Sequence, residues 1–213
     1  FVRLRFPGRE HTRIVDGVPK GWRVTSMSDV CEAVGGGTPS TKVPGYWDGD
    51  ITWVVPTDVT RNDCLFLMNS ARKITDTGLR ESAATVVPAE TILMTSRASV
   101  GFFALVDKPV CTNQGFINAI PKTQAIRMYL LHNLINRVEE IRSNAKGSTY
   151  PEISRGRFRD MPILVPPVAL LEAFSGFAGT AHGMVMRLKR QKESARAARD
   201  LLLPRLMSGG LMV

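Results

Sequence analysis

The chain has 213 residues, of which 44% are apolar, and its mean hydropathy of −0.03 is that of an ordinary folded domain. Lysine and arginine number 28 against 19 acidic residues, so the formal net charge is +9, and this excess favours a polyanionic partner such as nucleic acid. No run approaches the roughly 18 apolar residues of a membrane span, and the first residues lack the apolar segment of an export signal.

The first 21 residues are polar and interrupted by glycine and proline, which predicts a linker or joining segment over residues 1–21. A compact domain is predicted over residues 22–165. Within it, Ser26 followed by Asp29 is typical of a helix cap, so a short helix is expected over residues 27–34, ended by glycines 35–37. Apolar runs between turn residues predict strands at residues 51–55, 64–67, 91–95, 101–106, 115–120 and 161–165.

Two helices are predicted in the second half of the chain. Apolar residues recur at helical spacing from Ile126 to Ile141, and Gly147 would end this helix. Beyond a double proline, one long charged helix is predicted over residues 166–207, with a tail at 208–213. Its apolar residues recur at approximate spacings of three and four residues, as in a coiled coil, which indicates pairing with another helix. The candidate pairing residues are Phe174, Ala181, Val185, Leu188, Ala195 and Leu202.

These elements predict an α+β fold. A mixed, loop-rich β-sheet domain with short helices would be followed by one long α-helix that forms a coiled coil with a partner helix. A helix of about 38 residues would span about 57 Å, which is too long to bury its apolar side on a small domain alone. The partner would therefore be a second copy or another half of the same protein.

The sequence contains no recognisable catalytic or metal-binding motif. The glycine-rich segment at residues 35–42 has its lysine after Thr41 instead of after a glycine, so the spacing of a phosphate-binding loop fails. The three histidines, His11, His132 and His182, are isolated from carboxylates at any metal-ligand spacing. The sequence therefore predicts no catalytic residue, no metal site and no cofactor on this chain.

The three cysteines, Cys31, Cys64 and Cys111, are odd in number and too widely spaced for a disulfide framework or a zinc site. They are predicted to be reduced thiols in the interior of the protein. Reduced cysteines without an export signal predict a cytoplasmic location.

Several predicted loops carry side chains suited to DNA. Arginine can read guanine, and Asn or Gln can read adenine, in a major groove, whereas lysine and hydroxyl groups mostly contact phosphates. Each of these residues is also compatible with an ordinary solvated loop, and Tyr46 with an anchor for its loop. The candidate DNA-binding residues are Thr38, Ser40, Thr41, Lys42, Tyr46, Arg97, Asn113, Gln114, Lys146, Ser148, Thr149, Tyr150, Arg155 and Arg157.

Five segments occur in a characteristic order along almost the whole chain. They are GWRVTSMSDVCEAVGGGTPSTKVPGYWDGDITWVVPTDV, TGLRESAATVVPAETILMTSRASVGFFAL, TNQGFINAIP, GSTYPEISRGRFRDMPILVPP and ARAARDLLLPRLMSGGL. Together they resemble the specificity (S) subunit of type I restriction-modification systems. A full S subunit of this family has two target-recognition domains and two conserved helices that pair antiparallel, whereas this chain resembles one repeat.

The resemblance implies a non-catalytic role in which the domain reads one half of a split double-stranded DNA target and the helix sets the spacing to the other half. The first residues resemble the join before a second recognition domain, which implies either a C-terminal half or a half-size subunit that pairs with a second copy. The implied partners are methyltransferase (M) subunits and, through them, restriction (R) subunits. S-adenosylmethionine, ATP and Mg²⁺ would be bound by those partners.

Two other interpretations remain open. The chain is also compatible with a helix-mediated assembly protein whose basic domain binds nucleic acid without sequence preference. An enzyme such as a nuclease is a third interpretation, but the sequence has no clustered acidic metal-binding motif to support it.

Overall fold

The computed structural model describes residues 13–15, 17–147 and 151–208, and within them a β-sheet domain is followed by a single helix of 40 residues. The α+β class predicted from the sequence is confirmed. Three parts of the sequence prediction lie outside the described residues: residues 1–12 and 16 of the linker, the loop residues Ser148, Thr149 and Tyr150, and residues 209–213 of the tail.

Short strands and short helices alternate along the domain before the long helix begins. In chain order the described strands are β1 (Ile14–Val15), β2 (Val18–Pro19), β3 (Arg23–Ser26), β4 (Cys31–Gly35), β5 (Trp47–Val54), β6 (Arg72–Ile74), β7 (Val86–Val87), β8 (Ile92–Thr95), β9 (Phe103–Leu105), β10 (Val110–Thr112), β11 (Phe116–Pro121) and β12 (Pro162–Val165). The described helices are α1 (Met27–Val30), α2 (Pro56–Thr60), α3 (Asp76–Arg80), α4 (Gln124–Asn136), α5 (Val138–Ser143), α6 (Arg155–Asp160) and α7 (Val168–Met207), with a 3-10 helix at Pro44–Tyr46.

Two four-stranded sheets stack to form the centre of the domain. Sheet I has the strand order β4-β11-β8-β9 and is antiparallel, while sheet II has the order β6-β5-β10-β7 and pairs β5 with β10 in parallel. Successive residues of β11 point to opposite faces. Ile117 and Ala119 therefore join the core under α4, whereas Phe116 and Ile120 pack on sheet II. Sheet I is buried on both faces as a result.

Helix α4 covers the outer face of sheet I and forms the largest apolar core. Leu130, Leu131 and Leu134 are fully buried there. Burying one such leucine contributes about 1.5–3 kcal/mol, so this contact is a main source of stability. Trp47 and Trp53 of β5 are buried in a separate cluster on sheet II.

The helix predicted over residues 27–34 is wrong in its second half. The expected cap is present, because Thr25 and Ser26 donate hydrogen bonds to the Asp29 carboxylate and lower its pKa to about 2. The helix nevertheless ends at Val30, since Cys31 adopts an extended backbone and begins β4, which pairs with β11. The glycines that follow end a strand and not a helix.

Five of the six predicted strands are present as β5, β8, β9, β11 and β12. The strand predicted at residues 64–67 is reduced to one isolated bridge between Phe66 and Leu105. Strands β3, β4, β6, β7 and β10 were not predicted, because such short segments obtain their hydrogen-bond partners only from tertiary pairing. Likewise, part of the predicted linker forms the antiparallel pair β1-β2.

The single helix predicted from Ile126 to Ile141 is two helices. Arg137 leaves the helical conformation between α4 and α5, with φ −108° and ψ 20°. Its guanidinium donates to Glu140 at 2.6 and 2.7 Å and to the carbonyl of Pro162 at 2.7 Å. These contacts favour the break, because they join α5 to the start of β12.

Helix α7 packs along the domain over its first half. Leu171 and Ala178 are buried, and the ring centroid of Phe174 lies 5.7 Å from that of His132 on α4. Phe174 is half-buried and contacts the domain of its own chain, and its pairing with another helix stays a prediction. The remaining predicted pairing residues, Ala181, Val185, Leu188, Ala195 and Leu202, are exposed.

Ion pairs continue this contact to the middle of α7. Asp63 accepts hydrogen bonds from Lys189 and from Lys192, whose Nζ lies 2.5 Å from Asp63 Oδ2, and both interactions hold the pKa of Asp63 well below its usual range. Arg190 pairs in the same way with Asp107. Such surface pairs orient the helix more than they stabilise the fold. From residue 191 to residue 208 the helix is exposed throughout.

Two histidines meet where α7 crosses α4. The Nε2 atoms of His132 and His182 lie 3.0 Å apart, and the imidazoles are half-buried beside the rings of Phe66 and Phe174. Burial lowers the pKa of both residues, and the charges of His132 and Arg127 lower that of His182 further. Both rings are therefore favoured in the neutral form, in which one donates a hydrogen bond to the other.

We expect acid to weaken the attachment of α7 to the domain. Because folding depresses these histidine pKa values, their stabilising contribution is present above the ordinary value of 6.5 and is lost as the pH falls below it. Urea unfolding at about pH 7.5 and about pH 5.5 should show a lower midpoint in acid. The double variant His132→Asn and His182→Asn should depend less on pH, and an equal pH dependence in both proteins would contradict this account.

Candidate nucleic-acid interface

The glycine loop (residues 35–37) begins at the last residue of β4 and passes against the end of β10. A Cβ atom on Gly36 would lie 2.2 Å from the carbonyl oxygens of Thr112 and Asn113, and one on Gly37 would lie 2.2 Å from the backbone of Ala83. The N–H of Gly37 also donates to the carbonyl of Thr112 at 2.9 Å. Only glycine allows so close an approach. The glycine loop therefore supports a contact between chain segments and forms no phosphate cradle of its own.

This passage places Thr38 beside Gln114. The Thr38 hydroxyl donates a hydrogen bond to Gln114 Oε1, and both side chains are exposed. In the adjacent turn, the N–H of Gly115 donates to Asn113 Oδ1 at 2.9 Å, and the N–H of Asn113 donates to the carbonyl of Val54 at 3.0 Å. Each amide oxygen is thus already used once. The amide NH₂ groups are the donors that Asn113 and Gln114 offer to a ligand.

Arg97 lies on a loop that is braced against the same turn. The N–H of Ser96 donates to the carbonyl of Gly115 at 2.8 Å. Within the loop, Thr95 Oγ1 contacts the Ser99 carbonyl, and Ala98 has the left-handed φ of +60°. The loop is therefore held in one shape although Arg97 itself is exposed.

Arg97, Asn113 and Gln114 line one open cavity of about 340 Å³, together with Pro56, Ala98 and Gly115. Residues predicted from two separate sequence segments, Arg97 in one and the adjacent Asn113 and Gln114 in the other, are therefore brought together. Arginine donates to guanine, and the two amides offer donors and acceptors to adenine. The chemistry of this cleft is suited to base edges.

Segment 151–153 borders the cleft and carries Glu152, which the sequence analysis did not assign a role. Glu152 forms antiparallel bridges with Arg97 on one side and with Lys146 on the other. The Arg97 Nε atom lies 3.5 Å from Glu152 Oε2. Lys146 is exposed, so this row presents two cations and one carboxylate at the rim of the cleft.

Two further predicted cations lie on α6. The guanidinium of Arg155 lies over Gly35, 3.4 Å from the position of a Cβ atom there, at the start of the glycine loop. Arg157 instead donates to Asn144 Oδ1 at 2.8 Å and is held against the end of α5. Arg155 is therefore close to the loop that carries Thr38, whereas Arg157 is used in a contact within the domain.

The loop with Ser40, Thr41 and Lys42 is supported by the tryptophan cluster and not by the cleft. The indole N–H of Trp47 donates to the carbonyl of Ser40 at 3.1 Å, and the three loop side chains are exposed. Tyr46 is half-buried against this cluster, and its carbonyl accepts from the Thr75 N–H at 3.0 Å. The structure favours the interpretation of Tyr46 as a loop anchor over base stacking.

Arg72 on β6 is a basic residue of this region that the sequence analysis missed. Its guanidinium carbon lies 3.5 Å from the ring centroid of Trp47, in a cation–π arrangement, and the side chain is exposed. The available signal was the alternation of Arg72 with Ile74 on a strand edge. That signal is weak without knowing that β6 pairs with β5.

We expect Gly36→Ala to damage the interface by destabilising the domain. The added methyl would meet backbone oxygens that cannot move independently, so the free energy of unfolding should fall by about 3 kcal/mol. Gly45→Ala is the matched control in the same loop region, because no atom lies within 4 Å of a Cβ atom there. Urea denaturation followed by circular dichroism measures both. Equal stability of the two variants would show that the close approach does not occur.

The described residues contain no group of three or more His, Cys, Asp or Glu side chains arranged to hold a metal ion. Among the helices in these residues, none is both long and apolar enough to cross a membrane.

Comparison with known proteins identifies the family of this chain. The family model described as "Type I restriction modification DNA specificity domain" matches residues 19–169. The specificity subunit of the type I restriction enzyme MjaIX from Methanocaldococcus jannaschii is 33% identical over 195 residues, which are 91% of this chain and 45% of that protein. The HindI specificity subunit from Haemophilus influenzae is 24% identical, over 90% of this chain and 42% of its own length. The chain thus spans less than half the length of these relatives.

A solved structure has the same fold. The type I restriction-modification S subunit from M. genitalium superposes with a TM-score of 0.63 at 14% identity, over 92% of this chain and 48% of that one. At this identity the similarity concerns the fold alone.

Proposed function

The chain belongs to the type I restriction modification DNA specificity domain family, and from this premise we propose that it recognises a specific sequence in double-stranded DNA. The observation that carries the proposal is the cleft where Arg97, Asn113 and Gln114 meet. One guanidinium and two amides, each contacted by a neighbouring backbone or side-chain group, match the donors and acceptors of base edges in the major groove.

The surrounding side chains would supply phosphate contacts. Lys146 at the rim, Arg155 over the glycine loop and the exposed Thr41 and Lys42 can each approach a sugar-phosphate backbone. Such contacts fix the position of the protein on DNA without selecting a sequence. Binding should therefore weaken steeply with salt, while discrimination between sequences depends on the cleft.

We propose that the chain acts within a type I restriction-modification complex and is itself non-catalytic. Methyltransferase subunits would bind S-adenosylmethionine, and restriction subunits would use ATP and Mg²⁺. The family match and the base-reading chemistry of the cleft support this role. A cytoplasmic location, where the chromosome is accessible, is part of the same proposal.

One recognition domain implies one half of a split target. We propose that α7 pairs with a second such helix, from another copy or another half of the protein, and so sets the distance between two half-sites. Support comes from the exposed face of α7, where Ala181, Leu188, Ala195 and Leu202 are spaced by seven residues. Phe174 precedes this series by seven residues and contacts His132 on α4 of its own chain.

Co-expression with a methyltransferase (M) subunit of a type I system that associates with this chain should create a new methylated motif. In a host without methylation, single-molecule sequencing should detect a split target that disappears when this chain is omitted. Mirror-image half-sites would show that two copies pair. An absence of new methylation, although the two proteins associate, would contradict the proposal.

Substitutions in the cleft separate specific recognition from non-specific binding. Arg97→Ala, Asn113→Ala and Gln114→Ala should change or relax the motif. A uniform loss of affinity without a change of motif would instead favour an assembly protein with a basic surface. Lys42→Ala, outside the cleft, is the control that should weaken binding alone.

We expect Val185→Asp combined with Leu188→Asp to abolish helix pairing. Each buried apolar side chain at such an interface contributes about 1.5–3 kcal/mol, and a carboxylate there is also left without a partner. Light scattering should show the mass of one chain for the variant and of two for the parent. Val24→Asp, at a valine that is 61% exposed on β3, is the control with unchanged mass. The same mass in the parent and the double variant would exclude this face as the interface.

A further inference from the structure

We propose that Glu152 is a positioning residue for Arg97, so that this carboxylate sets the sequence specificity of the cleft without touching DNA. The inference rests on the proposed recognition of DNA. Glu152 is a negatively charged residue between two cations, and its charge would repel the phosphates of DNA.

The backbone holds Arg97, Glu152 and Lys146 in one row. Around Arg97 the N–H of Ala98 donates to Pro151 and the N–H of Ile153 donates to Ser96, both at 3.0 Å. This is the pattern of a pair without direct hydrogen bonds between its own residues, in which opposite side chains approach most closely. On the other side, Glu152 and Lys146 exchange both backbone hydrogen bonds at 2.9 Å. Residues directly opposite one another in such a ladder share a face.

The contact uses only one part of the arginine. Glu152 Oε2 lies 3.5 Å from Arg97 Nε, at the inner end of the guanidinium. The two terminal nitrogens are the donors that a bidentate contact with guanine needs, and this geometry does not require them. Glu152 therefore restricts the rotation of the guanidinium while its reading edge stays available.

The position of Glu152 distinguishes this role from general attraction to DNA. A surface that only binds phosphates would have a higher affinity for DNA with a neutral residue between Arg97 and Lys146, because a carboxylate repels the DNA backbone. The ion pair is also too exposed to stabilise the fold appreciably, since 47% of the Glu152 side chain is accessible. Orientation of Arg97 is the effect that remains for a carboxylate at this place.

The test compares Glu152→Gln and Glu152→Asp with the parent, each in complex with the methyltransferase. Selection from random DNA with the parent complex first defines its motif. Affinities are then measured for that motif and for single-base changes of it over a range of salt concentrations. For Glu152→Gln we expect tighter binding to unrelated DNA, by about threefold. The ratio of its affinities for the motif and for one single-base change, which we call the discrimination ratio, should fall by about threefold. Glu152→Asp should lose discrimination without the gain in affinity, because its shorter side chain does not reach Nε.

Glu193→Gln on α7 is the matched control. Glu193 forms an ion pair with Lys189, also at 3.5 Å, and is 46% accessible, so the same charge is removed from an equivalent contact outside the cleft. Its discrimination ratio should equal that of the parent. If both Glu152 variants keep the parent ratio, Glu152 has no positioning role, whereas DNA recognition stands. If the parent complex selects no motif, the proposed function fails and this inference fails with it.

Discussion

The approach of Gly36 to the carbonyl oxygens at the end of β10 is the constraint on which the candidate interface depends. Because these two backbone segments are in contact, the loop after β4 lies beside the turn that follows β10. Thr38 then meets Gln114, and the same turn receives the Arg97 loop through the Ser96–Gly115 hydrogen bond. A side chain at position 36 would separate segments that are distant in sequence and would dismantle the cleft.

The candidate interface combines side chains that are held in place, and that we propose read bases, with more loosely held cations. Asn113 and Gln114 are restrained through their amide oxygens, and Arg97 through its carboxylate partner. Preorganisation of this kind reduces the conformational entropy lost on binding, so that more of the interaction energy contributes to discrimination. Cations such as Lys42 and Lys146 remain exposed and suit contacts with phosphates at varied positions. The carboxylate of Glu152 in a basic surface fits a protein in which selectivity matters more than total affinity.

The apolar stripe of helix α7 has two parts along its length. The first part, with Leu171, Phe174 and Ala178, joins the core of the domain, and the histidine pair lies close to it. The second part, which begins at Ala181, is exposed within the described chain. Because the helix is held on the domain by its first half, a partner helix that binds the second part would be held at a defined distance from the candidate cleft. Weaker packing at His132 and His182 would make that distance less defined.

The sequence by itself determined the α+β class, the long helix, the main core strands and the residue types suited to DNA, because composition and apolar periodicity are local properties. It could not determine where α1 ends, the break at Arg137 or the short strands β6 and β10, since their hydrogen-bond partners are remote in sequence. For the same reason the periodicity of α7 did not reveal that Phe174 packs on α4. The tertiary structure alone decided that Arg97, Asn113 and Gln114 share one cleft and that Glu152 stands beside Arg97. The physical reason is that sheet pairing and close backbone contact join segments across long separations, which no local pattern encodes.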